Sequence, residues 1–225
     1  MLLVTTVGFL LSAMSRLNRD FFARDTLTVA RALLGQRLVR VLDGVRLSGR
    51  IVEVEAYIGE EDRASHARFG RTRRNMPMYG QPGHAYVYFI YGMHHCLNLV
   101  TEREGYPAAV LIRALEPLEG IEVMQARRWP EPCPELRRRT VQGRGGRPDV
   151  QLTGGPARLC QALAIDRWFD GADLCAPGAL LFIEEDAAVP DEAIVTGPRI
   201  GVRGDGVALT APWRFYVRGN RYVSR

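Results

Sequence analysis

Two β-rich runs meeting at Asp43-Gly44 constrain this chain more than any other feature. "QRLVRVL" (36–42) and "VRLSGRIVEVEAY" (45–57) flank the dipeptide. Asp-Gly between two such runs is a strong hairpin signal, because both central residues of a type I′ turn take positive φ. An antiparallel pair is expected. Within the second run, alternation places Ile51, Glu53, Glu55 and Tyr57 on one face and Val52, Val54 and Ala56 on the other. Taken alone, that pattern describes a strand with a wet, charged face.

A second unusual strand follows. "YVYFIYGMHHCLN" (86–98) carries three tyrosines within its first six residues. Tyr86, Tyr88 and Ile90 share one face; Val87, Phe89 and Tyr91 share the other until Gly92 breaks the run. Buried strands favour Val, Ile and Leu, since each buried tyrosine hydroxyl needs a partner. The run therefore reads either as an amphipathic packed strand or as a surface that receives an aromatic ligand.

The rest of the chain supplies the frame. "LTVARALLG" has helical spacing, with Asp25 or Thr26 as cap and Gly35 as terminator. Residues 59–83 read as loop, and "AAVLIRALEPLEG" as a central strand. "PLEGIEVMQARRW" reads as a helix with Pro117 near its start. Residues 130–150 are rich in Pro and Gly and set five arginines against three acids, which predicts a mobile basic loop. "GGPARLCQALAI" opens a helix, and "ALLFIEE", "PRIGV" and "WRFYVRG" read as strands. No repeat divides the chain. The expectation is a single α+β domain over 18–225, with a curved, mainly antiparallel sheet flanked by helices. Residues 1–17 form an apolar, disordered extension. That extension lacks a positive n-region, and its apolar run is too short to cross a bilayer.

Composition narrows the chemistry. The chain has 225 residues and a net charge of +5, and all 30 of its basic residues are arginine. Whatever the origin of that usage, its consequence is chemical. No side-chain amine exists to form a Schiff base, anchor pyridoxal phosphate or serve a P-loop. The mild basic excess suits a polyanionic partner. Cys96, Cys133, Cys160 and Cys175 lie far apart without a CxxC pair, a poor pattern for zinc or for a disulfide scaffold. His94-His95-Cys96 is no metal site by spacing, because adjacent strand residues point apart.

Several residues could carry chemistry. Glu53 and Glu55 share a face with Tyr57, and a carboxylate held against aromatic rings can act as a base on water. Arg113 sits in an otherwise apolar run and needs an anionic partner, either one of these glutamates or a ligand. His66, nine residues past Tyr57, reads first as an ordinary loop residue. Arg63, Arg68, Arg71, Arg73 and Arg74 precede the tyrosine strand, and Arg137–Arg139, Arg144 and Arg147 come later. Arginines beside aromatic residues fit a base-stacking site as well as a solvated basic surface. Gly154-Gly155-Pro156 at a helix start offers a weak phosphate signal.

In order along the chain, "RIVEVEAYIGEEDRASHA", "RTRRNMPMYGQPGHAYVYFIYGMHHCLNLV", "VLIRALEPLEG", "GGPARLCQALAI", "PRIGV" and "RFYVRG" closely resemble the alkyladenine (3-methylpurine) DNA glycosylase family. The likeness runs from about Asn18 to the end. It implies a monofunctional base-excision repair enzyme that flips an alkylated or deaminated purine from duplex DNA and hydrolyses the N-glycosidic bond. No metal or organic cofactor would be needed. Such an enzyme would act as a monomer in the cytoplasm, on the nucleoid, without membrane contact. By motif position, Glu55 would activate the attacking water, with Arg113 and the backbone carbonyl of Ile200 helping to hold it. Tyr57, His66 and Tyr88 would sandwich the extruded base, and Asn98 would obstruct the amino group of normal guanine. Tyr91 would wedge into the vacated gap, while Arg74, Asn75 and Gly201 would contact DNA. The apolar N-terminal extension and the composition of the 130–150 loop depart from the family pattern. Two rival readings stand beside this one. A metal-dependent nuclease would use Glu53, Glu55 and His66 and would lose activity in EDTA. In a non-catalytic damage-binding module, Glu55 would merely pair with Arg113.

Overall fold

Asp43 and Gly44 both take positive φ, 50° and 79°, and between them they join β1 (Arg37–Leu42) to β2 (Val45–Ile58) as an antiparallel pair. The computed structural model describes residues 15–130 and 149–224. Residues 1–14 of the N-terminal extension and nearly all of the 130–150 loop, with Cys133 and five of the arginines named above, lie outside the described residues. The last part of the extension, read as disordered, is instead tied to the sheet: Arg16 forms a β-bridge with Glu184, and the Leu17 N–H donates to the Ile183 carbonyl.

The fourteen residues of β2 form the spine of the fold. It runs beside β5 (Ala108–Glu119) for most of its length. On its other edge β1 covers its first half, and β8 (Arg214–Val217) pairs with Glu53–Glu55. The sheet continues through β4 (His94–Val100) to β3 (Ala85–Ile90) on one side and to β6 (Leu181–Glu184) on the other. β7 (Ile194–Gly197) pairs with β8. All these pairings are antiparallel, giving one open eight-stranded sheet in an α+β domain.

The six α-helices among the described residues are short: α1 (Arg19–Phe22), α2 (Thr26–Leu33), α3 (Ile121–Arg128), α4 (Val150–Thr153), α5 (Pro156–Ala162) and α6 (Gly206–Thr210). Asp25 caps α2 by accepting from the Thr28 N–H, which satisfies one of the donors a helix start leaves free. Val29, Ala30 and Leu33 of α2 and Leu159, Cys160 and Ala162 of α5 pack into the main core with Val54, Ala56, Leu97, Leu99, Val110 and Ile112 from the sheet. None of the helices is long and apolar enough to cross a membrane.

Four further sequence expectations change. The helix after β5 starts at Ile121, not near Pro117, which still lies within β5, opposite Gly49 at a register shift. Proline is tolerated at such a place because it removes no ladder bond from a regular stretch. The chain then turns at Gly120 (φ 70°), where a Cβ would collide with Leu47 and the Arg46 carbonyl. "PRIGV" is not a strand, since its polar groups are engaged by the site described below. Tyr91 does not continue β3: it occupies the hairpin turn with φ 51° and is 85% exposed.

The fourth change matters most. The strict alternation read for 51–57 fails because β2 and β5 carry complementary bulges. Ile51 pairs with Leu115, Glu53 with Ala114 and Val54 with Ile112, so Val52 is the extra residue on β2 and Arg113 the extra residue on β5. Ile51 therefore joins Val54 and Ala56 in the main core, whereas Val52 packs with Ala114 and Tyr222 in a separate small cluster. Bulges re-aim side chains, and this one turns Arg113 onto the face of Glu53 and Glu55.

Candidate active site

Glu53 and Glu55 are both 0% exposed, which overturns the wet, charged face. A buried carboxylate is tolerable only when ionic partners and hydrogen bonds replace its water. Glu55 has three polar partners. Its Oε1 accepts from the Ile200 backbone N–H at 2.7 Å and lies 3.1 Å from Arg113 Nη1; its Oε2 accepts from the Tyr57 hydroxyl at 2.9 Å. Arg113 Nε donates to Glu53 Oε1 at 3.1 Å, and Arg214 Nε donates to the same oxygen at 2.6 Å. Two carboxylates thus face two guanidinium groups, and the cluster is balanced. Burial and the adjacent Glu55 hold the Tyr57 hydroxyl well above the usual phenol range, so Tyr57 is a donor to Glu55 at any working pH.

Above this cluster lies a cavity of about 330 Å³, at the small end of the range for small-molecule sites (~300–1,000 Å³). Its wall includes Tyr57, His66, Tyr86, Tyr88, Tyr91, Asn98, Arg113, Ile200 and Gly201. Glu55 is not part of the wall, but the residues that supply all three of its polar partners are. The carboxylate therefore lies one residue layer below the ligand space.

His66, Tyr86 and Tyr88 form a contiguous aromatic cluster, with the His66 and Tyr88 ring centroids 4.5 Å apart and their planes at 74°. His66 is no incidental loop residue: its Nδ1 is hydrogen-bonded to the Tyr86 hydroxyl at 2.8 Å. Burial, helped by the charges of Arg74 and Arg68, pulls its pKa down to about 4, so the imidazole is neutral. Tyr86, through that hydrogen bond, fixes the orientation of His66. Cys96 lines the floor beside Tyr88, and burial pushes its thiol up to about 11. It stays a neutral thiol. The Asn98 amide donates to the Tyr86 carbonyl at 3.0 Å, which fixes how it faces the cavity.

The rim is basic. Arg68 and Arg203 line the cavity, and Arg74 lies 5.6 Å from the Tyr88 ring centroid. Asn75, expected at the DNA surface, is 1% exposed. Its amide donates to the His66 and Gly70 carbonyls, and its oxygen accepts from the Thr72 N–H. It organises the loop that carries Arg73 and Arg74 and positions His66. The Gly154-Gly155 phosphate signal finds no support, because both N–H groups already donate to carbonyls, of Val150 and Thr153.

Arg199 is the main residue that sequence reasoning missed. Its side chain and that of Asp62 are both 0% exposed and form a bidentate pair, with further bonds to the Ala56 and Ala208 carbonyls. Its guanidinium also stacks over Tyr57 and Trp213. One side chain thereby ties the loop after β2, the strand itself and α6 together, and so presents the N–H of Ile200 to Glu55. That is why "PRIGV" cannot be a ladder strand. The signal was available: an arginine in an apolar run, as at Arg113.

Among the described residues no three His, Cys, Asp or Glu side chains are grouped to hold a metal. Glu53 and Glu55 are engaged by arginines and His66 by Tyr86, so the trio needed by a metal-dependent nuclease is not assembled.

The open antiparallel sheet thus carries a buried, arginine-held carboxylate beneath an aromatic, basic-rimmed cavity. Family comparison makes this specific: residues 20–221 match the model described as methylpurine-DNA glycosylase (MPG), and the chain belongs to that family of DNA repair enzymes. It is 52% identical over 209 residues to a protein of Methanocella arvoryzae, covering 93% of this chain and 96% of the relative. Proteins of Anaeromyxobacter dehalogenans strain 2CP-C (51%, covering 93% of this chain and 87% of the relative) and Desulfitobacterium hafniense strain Y51 (46%, covering 94% and 99%) are similarly close. All three bear the printed name "Putative 3-methyladenine DNA glycosylase".

Proposed function

We propose that this protein is a monofunctional DNA glycosylase that flips alkylated or deaminated purines from duplex DNA and hydrolyses the N-glycosidic bond. It acts as a monomer on chromosomal DNA in the cytoplasm. The observation that carries the reading is the Glu55 carboxylate, held by Arg113, Ile200 and Tyr57 directly beneath the aromatic cavity.

In this reading Tyr57, His66 and Tyr88 stack on the extruded base, and Asn98, fixed by the Tyr86 carbonyl, obstructs the amino group of guanine. Flipping costs a few kcal/mol, offset by stacking and by a wedge that blocks return. Tyr91, exposed at the tip of the β3–β4 hairpin, supplies that wedge, and Arg74 and Gly201 supply backbone contacts. A purine methylated at a ring nitrogen is cationic, so it binds well against electron-rich rings and leaves as a neutral base. A neutral lesion such as hypoxanthine takes up a proton as it leaves. The C1′–N bond breaks with its electron pair going to the base. Glu55 stabilises the developing oxocarbenium ion and accepts a proton from the water that adds to C1′. To reach the carboxylate that water shares or displaces the Tyr57 hydroxyl, since Oε1 already accepts from the Ile200 N–H and is ion-paired with Arg113. The carbonyl of Ile200 is a further ligand for the water.

The test is direct. The purified protein, in EDTA, is incubated with duplexes carrying a single 1,N6-ethenoadenine, hypoxanthine or methylated purine, and free base is measured. Release of base supports the reading. Strand cleavage abolished by EDTA would point to a nuclease, and lesion binding without release to a damage-binding module.

A further inference from the structure

We infer that Ser224 is a positioning residue, which acts through Glu53 and Arg113 to set the guanidinium that holds Glu55. The inference rests on the glycosylase reading and assigns a role to a residue that is not itself part of the cavity wall.

Every polar group of Ser224 is directed into the ion-pair cluster. Its N–H donates to Glu53 Oε2 at 2.6 Å, its hydroxyl accepts from Arg113 Nη2 at 3.1 Å, and its carbonyl accepts from Arg214 Nη2 at 3.2 Å. Arg113 is thereby held at three nitrogens: Nε by Glu53, Nη1 by Glu55 and Nη2 by Ser224. Removing any one of them leaves the planar guanidinium able to tilt. Glu53 is 0% exposed and is not part of the cavity wall, so it has no route to a ligand. Its place in the site is to hold Arg113, with Arg214 and the Ser224 N–H holding it in turn.

The turn that carries Ser224 is seated on the bulges that aim Arg113. Tyr222 packs on Val52 and Ala114, the extra residue of β2 and the neighbour of the extra residue of β5. Asn220 fastens the same turn by accepting from the Tyr222 N–H and donating to Glu116. Packing and polar contacts thus converge on one outcome, a fixed Arg113.

The closing experiment compares wild type, Ser224→Ala and Ser224→Thr. It reads base release in single turnover at saturating protein, Kd for lesion duplex, and Tm. Deleting the hydroxyl removes one charge-assisted bond that orients the chemistry, so the Ala variant should release base about tenfold more slowly. Kd should be unchanged and the protein fully folded, and Thr, which restores a hydroxyl, should recover most of the rate. A purely structural role would move Tm and leave the rate of folded protein alone. Wild-type release by a folded Ala variant, or no recovery with Thr, would overturn the inference while leaving the glycosylase reading intact. If wild-type protein released no base from any lesion duplex, the reading itself would fall.

Discussion

Replacing Glu55 by glutamine separates chemistry from architecture unusually well at this site. The two carboxylate oxygens have different partners: Oε1 faces two donors, the Ile200 N–H and Arg113 Nη1, whereas Oε2 faces the Tyr57 hydroxyl. A glutamine can keep its carbonyl oxygen at the first place and put its amide at the second, where the Tyr57 oxygen can accept. Shape and hydrogen bonding survive. Charge does not: the cluster goes from two carboxylates against two guanidiniums to one against two. Breaking a buried pair outright costs about 3–5 kcal/mol. Here Glu53 still engages Arg113 and Arg214, so the loss of stability should fall below that range and appear as a Tm lowered by only a few degrees. Chemistry should suffer far more. A general base contributes about 10²–10⁴-fold, or roughly 3–5 kcal/mol of barrier. Single-turnover release of 1,N6-ethenoadenine should therefore drop by that factor while lesion-duplex affinity is retained. Release within a few fold of wild type from folded Glu55→Gln would refute the assignment of Glu55 as base, whatever the affinity.

Tyr91→Ser should weaken capture of the flipped state and leave Tm unchanged, because the side chain is exposed at a turn; 2-aminopurine fluorescence beside the lesion reports the unstacking. His66 is neutral in the fold, with a pKa near 4 against an ordinary value of 6.5. The unfolded chain therefore binds more protons between those values, and stability should decline as pH falls through that window. The decline should be shallower in His66→Asn, as measured by denaturant midpoints across pH. Because the chain has no lysine, and arginine does not deprotonate to form an imine, borohydride should trap no protein–DNA adduct and the product strand should stay intact until alkali is added.

Much of this fold was legible from local chemistry. The Asp43-Gly44 turn demanded positive φ at both residues, and only a hairpin of that type uses it. The helix at 26–33 announced its cap, and the apolar run at 108–115 its central place in the sheet. The errors share a cause. Alternation assumes that every residue advances the pleat by one step, and nothing in "RIVEVEAY" or "VLIRALEP" signals that Val52 and Arg113 are the two residues that do not. Their bulges depend on each other across strands, and so on pairing, which one strand cannot reveal. "PRIGV" failed for a related reason: its arginine pairs with Asp62, 137 positions earlier in sequence.

The site shows the same division in a form that bears on function. Glu55, Arg113 and the aromatic residues could be nominated because carboxylates, a lone arginine in an apolar run and clustered tyrosines are costly unless partnered. The partners were harder to see: Arg199 carried the same signal as Arg113, but Tyr86, Asp62 and Ser224 look like ordinary strand, loop and tail residues until the sheet brings them together. Those hidden partners decide what the visible residues can do. Without Tyr86, His66 would be a free loop side chain. Without Arg199, Ile200 would have no fixed N–H to offer Glu55, and without Glu53 and Ser224, Arg113 would hold Glu55 from one nitrogen rather than from a fixed plane. A carboxylate in a strand can serve as a base aimed at a cavity only when its orientation is over-determined. Around Glu55 that orientation is set by residues drawn from the loop after β2, from β3, from the segment before α6 and from the turn after β8, which is what the proposed role requires.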